Sequence, residues 1–262
     1  VRKIIRLDRN VLQNKLKRGA LQTMISMEQH VFPDYHMGDY VRRRISGSAE
    51  ELVQSEGPIL VCGESGVGKE GTAHYVFRKS TYGKSVFLFL DLLATRDGDD
   101  ADPEIGSNLG NEAKLTDRQL RLLFGFEEPG RDGGVKETPG YFEMSEDGTL
   151  LIRGIEQLTP VVQVKLLEAI LTDTFRRTGG SHLKKAKVRV IATTRVEPGH
   201  ISPERHPLIY ALAQRSMTIP PLRTRRREIP GLIKHYLAKY SQELRREQVK
   251  LPNDTLKTLV NY

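Results

Sequence analysis

Gly63-Glu64-Ser65-Gly66-Val67-Gly68-Lys69-Glu70 constrains this chain more than any other stretch. It follows a short apolar run, Pro58-Ile59-Leu60-Val61-Cys62, which reads as a buried strand. It precedes Gly71-Thr72-Ala73-His74-Tyr75-Val76-Phe77, which reads as the start of a helix. Strand, glycine loop, lysine and helix, in that order, make a phosphate-cradling loop. The glycines let the backbone curl until several N–H groups converge on phosphate oxygens, and the helix N-terminus adds the positive end of its dipole. Lys69 is placed to reach the outer phosphates. A glycine-rich turn that merely joins two elements is the alternative, and the strand and helix on either side count against it.

One position departs from the general pattern. Such loops usually end Lys-Ser or Lys-Thr, with the hydroxyl on Mg²⁺, whereas this one ends Lys69-Glu70. Written with that glutamate, the loop resembles the one in the AAA+ domain of bacterial sigma-54 activators, the enhancer-binding proteins. Further segments resemble the same family in order and approximate spacing, from about residue 37 to the end. Leu123-Phe124-Gly125 is similar to the Leu-Phe-Gly before the first pore loop. Gly148-Thr149-Leu150-Leu151-Ile152 resembles the strand that carries Walker B, and Gln163-Val164-Lys165-Leu166-Leu167 the helix after it. Val188-Arg189-Val190-Ile191-Ala192-Thr193-Thr194 is similar to the sensor I strand. Ile219-Pro220-Pro221-Leu222-Arg223 and Arg227-Glu228-Ile229-Pro230 resemble the approach to the helical lid.

The resemblance implies a P-loop AAA+ fold, a three-layer α/β/α domain with a mostly parallel sheet, followed by a partial helical lid. The expected divisions are an N-terminal linker or helical extension over 1–36, the nucleotide-binding core over 37–220 and the start of the lid over 221–262. The chain begins at Val1 rather than Met and stops before the family's second sensor arginine, so it reads as a piece of something longer. The expected ligand is ATP or ADP, held by Gly63, Glu64, Ser65, Gly66, Val67, Gly68, Lys69 and Glu70, with Mg²⁺ in doubt.

Charge and composition narrow the partners. Lys plus Arg is 41 against 33 Asp plus Glu, a formal net charge of +8. A basic surface can attract polyanions, but the basic residues are scattered, and neither zinc-finger spacing nor an aromatic stacking platform accompanies them. Direct nucleic-acid binding is therefore not expected of this segment; a homo-oligomer or a protein partner is. Cys62 is the sole cysteine, which fits a reducing compartment and a cytoplasmic location. Lying in the strand before the loop, it reads as a small buried side chain. No apolar run is long enough to span a membrane.

Along the chain, residues 1–36 place Ile5, Leu12, Leu16, Met24 and Met27 at roughly helical spacing, and a helix is expected from Met37 to Ser55. Ser85 to Leu90 reads as a strand, and the acidic stretch from Arg96 to Glu104 as a solvated insertion without EF-hand spacing. Thr159-Pro160 reads as a helix start, hydroxyl cap before proline. Thr178-Gly179-Gly180 reads as a turn, Gly231 to Arg246 as the first lid helix, and Pro252-Asn253-Asp254 as the start of another.

The catalytic half of the site is where the family pattern breaks. Hydrolysis needs one carboxylate to hold the Mg²⁺ water shell and a second to polarise the attacking water. The family places Asp-Glu directly after the Walker B strand, and here those positions are Arg153 and Gly154. The register has not slipped, since Gly148-Thr149 and Gln163-Val164-Lys165 keep their places. Substitutes are Asp91, at the end of the neighbouring strand, and Glu156, two residues beyond Gly154, where the chain is expected to be leaving the site. Thr194 matches the sensor I threonine, although Arg195 stands where an asparagine should follow. Arg205 falls at the first of the family's two trans-acting arginines, and Ala211 at the second. The aromatic and threonine that contact sigma-54 in the family are Arg131 and Asp132 here. Three readings stay open at this point. One is a nucleotide-binding module deficient in hydrolysis, acting in regulation or assembly. The second is an active ATPase that recruits Asp91 or Glu156. The third is a scaffold that binds no nucleotide.

Overall fold

The computed structural model describes residues 50–82, 85–93, 108–130, 134–197, 199, 201–247 and 250–261. The expected extension over 1–36, most of the helix expected from Met37, the acidic stretch after Arg96 and the tip at 131–133 lie outside those residues.

In chain order the first elements are α1 (Glu50–Gln54), β1 (Ile59–Cys62), α2 (Lys69–Lys79), β2 (Phe87–Asp91) and α3 (Asn108–Phe124). Then come β3 (Phe126–Pro129), β4 (Val135–Thr138), α4 (Tyr141–Met144), β5 (Thr149–Arg153) and α5 (Pro160–Thr172). β6 (Thr174–Arg176), β7 (Leu183–Lys185), β8 (Arg189–Thr194), α6 (Pro207–Leu212) and β9 (Ser216–Thr218) follow. Two lid helices close the described chain, α7 (Ile229–Glu243) and α8 (Asn253–Asn261).

Among the described residues the central sheet has five strands in the order β2-β5-β8-β1-β9, and each pairing within it is parallel. Parallel strands need covering on both faces, so they read as continuous apolar runs; β1 and β8 are buried along their whole length. Side chains alternate between two cores. Leu60, Leu90, Leu150, Ile152 and Val190 join α5 and α6 on one face. Ile59, Val61, Leu151 and Ile191 join Ala73, Val76 and Phe77 of α2 on the other. Each fully buried Leu, Ile or Phe in these layers stabilises the fold by about 1.5–3 kcal/mol relative to exposure. The three-layer α/β/α expectation holds.

The topology assembles the site. β1 lies inside the sheet, the chain then crosses to the β2 edge and steps back through β5 and β8. Ligands in such folds bind beyond the carboxyl ends of the strands, where the order reverses. The register puts Cys62 beside Thr194, Arg153 beside Thr193, and Asp91 beside Arg153. One edge of the sheet therefore carries the glycine loop, Asp91, Arg153 and Thr194.

Two local expectations change. Thr159 is the residue before α5, with Pro160 in its first turn, but its hydroxyl makes no capping bond. It meets the Thr116 hydroxyl at 3.0 Å, while Gln119 Oε1 accepts from the Thr159 N–H at 2.9 Å. The Thr178-Gly179-Gly180 turn is the loop of an antiparallel hairpin, β6 with β7. A second hairpin, β3 with β4, flanks residues 131–133. Both are anchored by Arg177, which is 5% exposed and donates to Glu143 at 2.9 and 2.8 Å and also to Glu137. Burial pulls the Arg177 pKa down, and its bonds to Glu143 and Glu137 more than offset that.

Candidate nucleotide-binding site

The loop between β1 and α2 has the backbone its glycines allow. Gly63, Gly66 and Gly68 have φ of 151°, 79° and 95°, values that L side chains rarely adopt. At Gly63 an added Cβ would also strike the Ile219 carbonyl oxygen. Gly68 precedes α2, and the Thr72 hydroxyl donates back to the Gly68 carbonyl at 2.9 Å. Lys69 is 5% exposed, and its Nζ donates to the Gly63 and Glu64 carbonyls at 2.9 and 2.7 Å. Burial lowers the Lys69 pKa, opposed by the charges of Glu70 and Glu156. Ser65 is exposed, and Val67 packs into the core.

Two arginines from the lid junction hold the outside of this loop. Arg225, with a side chain 7% exposed, donates to the Val67 carbonyl at 2.9 Å, the Pro220 carbonyl at 3.1 Å and Glu228 at 2.8 Å. Arg223 forks onto Glu64 at 2.7 and 2.6 Å. Arg225 is not singled out by the sequence, because it sits in a basic cluster, Arg225-Arg226-Arg227, that reads as a helical end. A cavity of about 490 Å³ opens beside the loop, between Gly66, Gly68 and the lid residues Leu232, Tyr236 and Tyr240. The two tyrosine rings stack at 6.1 Å with 21° between planes. Their i, i+4 spacing on α7 was the signal available in the sequence.

At the strand edge the charges pair with one another. Arg153 Nη1 donates to Asp91 Oδ2 at 2.8 Å, and Arg153 Nε lies 3.0 Å from Glu70 Oε1 in an ion pair not aligned as a hydrogen bond. Asp91 Oδ1 accepts the Leu93 N–H at 3.0 Å. Gly154 has φ 75° and ψ 45°, and an added Cβ would lie 3.0 Å from Leu93 Cγ and Cδ2. The chain then enters a one-turn 3₁₀ helix, Ile155–Gln157. That turn corrects the expectation for Glu156. Its side chain is 8% exposed rather than leading away, its charge acts on Lys69, and its Oε1 accepts from Arg195 Nε at 3.4 Å. Its Oε2 is buried and has no hydrogen-bond partner among the described residues.

The remaining candidates divide. The Thr194 hydroxyl accepts the Val196 N–H at 3.1 Å and so serves the local turn. Arg205 is exposed just before α6, and the described contacts do not bring it to the loop. Arg131 and Asp132 lie outside the described residues. Cys62 is buried, and burial pushes its thiol up to about 12, which suits packing rather than reactivity. Among the described residues, no helix is long and apolar enough to cross a membrane.

The donor set fits a nucleotide's phosphates better than it fits Mg²⁺. Loop N–H groups, Lys69 and the arginines are phosphate partners. The two acids nearest the expected metal position, Glu70 and Asp91, are both engaged by Arg153. No group of three His, Cys, Asp or Glu among the described residues is placed to hold a metal ion.

Comparison with known proteins bears on the family and the fold. The Sigma-54 interaction domain family matches residues 38–98 and 109–215. A Nif-specific regulatory protein of Herbaspirillum seropedicae is 30% identical over 254 residues, spanning 95% of this chain and 41% of that protein. Another from Bradyrhizobium diazoefficiens is 33% identical over 205 residues, 76% of this chain and 32% of its own length. The regulatory protein AtoC of Escherichia coli is 32% identical over 204 residues, 77% of this chain and 40% of that one. The chain thus spans about a third to two fifths of these relatives. Among solved structures, NtrX from Brucella abortus in complex with ADP is similar in fold, with a TM-score of 0.69 at 20% identity. That match covers 97% of this chain and 52% of NtrX.

Proposed function

The chain belongs to the Sigma-54 interaction domain family, and on that premise we propose that it is a nucleotide-binding AAA+ module of a transcriptional regulator that hydrolyses ATP slowly or not at all. It binds ATP or ADP at Gly63 to Glu70 and acts as a nucleotide-responsive regulatory or assembly domain, through self-association or a protein partner. One observation carries the reading. The glycine loop with Lys69 held against it supports phosphate binding, while the strand end that should supply carboxylates presents Arg153 tied to Glu70 and Asp91. The relatives' names support a regulatory setting, and NtrX was crystallised with ADP and with ATP. Arg131 and Asp132, where the family has its aromatic and threonine, argue against sigma-54 remodelling by this domain.

Calorimetry with ATP and ADP tests the binding half, and Lys69→Ala should weaken binding at least tenfold, as loss of a charge-assisted contact implies. No heat with either nucleotide would refute it. An open-complex assay with sigma-54 polymerase tests the second half, where ATP-dependent promoter melting would refute the absence of remodelling. The active-ATPase reading has one observation in its favour: Glu156 is turned inward close enough for Lys69 to feel its charge. A Glu156→Gln variant that abolished measurable turnover would favour it.

A further inference from the structure

The strand-end arginine does more than remove a carboxylate. Arg153 lies between β2 and β8 on the sheet edge, and its guanidinium spans from Asp91 to Glu70, the residue directly after Lys69. That is the place where a divalent cation would be expected, between the first turn of the loop helix and the strand-end acid. Mg²⁺ demands near-octahedral oxygen ligands at about 2.0–2.1 Å. One oxygen of each acid, Asp91 Oδ2 and Glu70 Oε1, already lies 2.8 and 3.0 Å from the Arg153 guanidinium. A metal ion entering here would have to break both pairs or sit beside a like charge.

Arg153 is also suited to the metal's electrostatic role. Its side chain is 38% exposed, so part of the fork faces outward. A guanidinium has five N–H donors in a fixed plane, of which Asp91 takes one and Glu70 lies against another. The remainder match phosphate oxygens, for which arginine is the preferred partner. The charges of Arg195 and Arg153 both act to lower the Lys69 pKa. Glu70, Asp91 and Glu156 balance them in the absence of ligand, and Asp91 and Glu70 orient the guanidinium.

We propose that Arg153 is the resident cation of this site, and that a nucleoside di- or triphosphate binds here without a divalent metal ion. The proposal rests on the nucleotide-binding reading above and specifies its chemistry. It concerns binding alone and adds no reaction step.

Calorimetry on the purified chain, with ADP and a non-hydrolysed ATP analogue, is run in excess Mg²⁺ and again in excess EDTA. The expected dissociation constants agree within about threefold. Mg²⁺ alone should give no thermal shift. Arg153→Met should weaken binding in EDTA by roughly tenfold to a hundredfold. It should regain part of that when Mg²⁺ is added, because Glu70 and Asp91 are then released to attract the ion. Binding by the parent chain that requires Mg²⁺ overturns the proposal and leaves the nucleotide-binding reading standing. Unchanged affinity of Arg153→Met in EDTA also overturns it. Absence of binding in both buffers overturns proposal and reading together. Should Arg153→Met fail to fold, the comparison of buffers on the parent chain still decides.

Discussion

Replacing Gly154 by alanine tests whether the missing carboxylate is locked out by the backbone. Gly154 sits at φ 75°, ψ 45°, in the left-handed region. An L residue there costs about 1–2 kcal/mol. Alanine stiffens the unfolded chain and returns about 0.4–1 kcal/mol of that. The new Cβ would lie 3.0 Å from Leu93 Cγ and Cδ2, tighter than ordinary contact, so Leu93 must shift. The sum is a destabilisation of about 1 kcal/mol, lowering Tm by roughly 2–4 °C for a domain of this size. Thermal denaturation of Gly154→Ala, Leu93→Ala and the double variant separates the two costs. The backbone cost should persist when Leu93 is trimmed and the contact cost should vanish. If Gly154→Ala is neutral or stabilising in both backgrounds, the backbone is not committed to glycine, and the physical account of the lost carboxylate fails. The same strain would attend Gly154→Glu, so restoring the family's pair as Arg153→Asp with Gly154→Glu must be assessed on folded protein.

Two further outcomes follow from particular side chains. Arg177→Met should destabilise by about 2–3 kcal/mol, since it strands carboxylates of which Glu127 is 10% and Glu143 24% exposed; amide exchange should rise first in β3 and β4, and an unchanged Tm would refute the anchoring role. His74 packs edge-on against Phe87 at 5.4 Å, and burial lowers its pKa to about 4. The unfolded chain therefore takes up the proton first as pH falls, so this contribution is present above about 6.5 and lost between about 6.5 and 4. Partial exposure limits it to about 2 kcal/mol. His74→Phe should flatten that limb of the Tm–pH curve, and an unaltered slope would contradict the assignment.

The legible parts of this molecule were those dictated by local geometry. The loop could be read because only glycine tolerates the φ values at Gly63, Gly66 and Gly68. The buried parallel strands could be read because both faces must be apolar, as in Ile59 to Cys62 and Arg189 to Thr194. The hairpins β3–β4 and β6–β7 were hidden because each strand is three or four residues long, with much of it exposed. Arg177 ties them together through partners from three separate segments, Glu127, Glu137 and Glu143. The site divides the same way. Loss of the carboxylates at Arg153 and Gly154 was visible from residue identity. The pairing of Arg153 with Glu70 and Asp91 was not, because it depends on strand register. Glu156 departs from the expectation because a one-turn 3₁₀ helix follows Gly154, and its side chain is 8% exposed. The Thr159 hydroxyl was assigned to a cap but lies within reach of Thr116, a partner no local rule supplies.

The site is proposed to hold ATP while hydrolysing it slowly or not at all. The most direct measurement is the fate of bound nucleotide: the folded chain is loaded with labelled ATP, separated from free ligand, and the bound label is followed over time. It should be recovered as ATP long after an ordinary AAA+ domain would have turned over many times. Bound label appearing as ADP at ordinary rates, in the chain with Arg153 and Gly154 intact, would contradict it and point to a carboxylate such as Glu156.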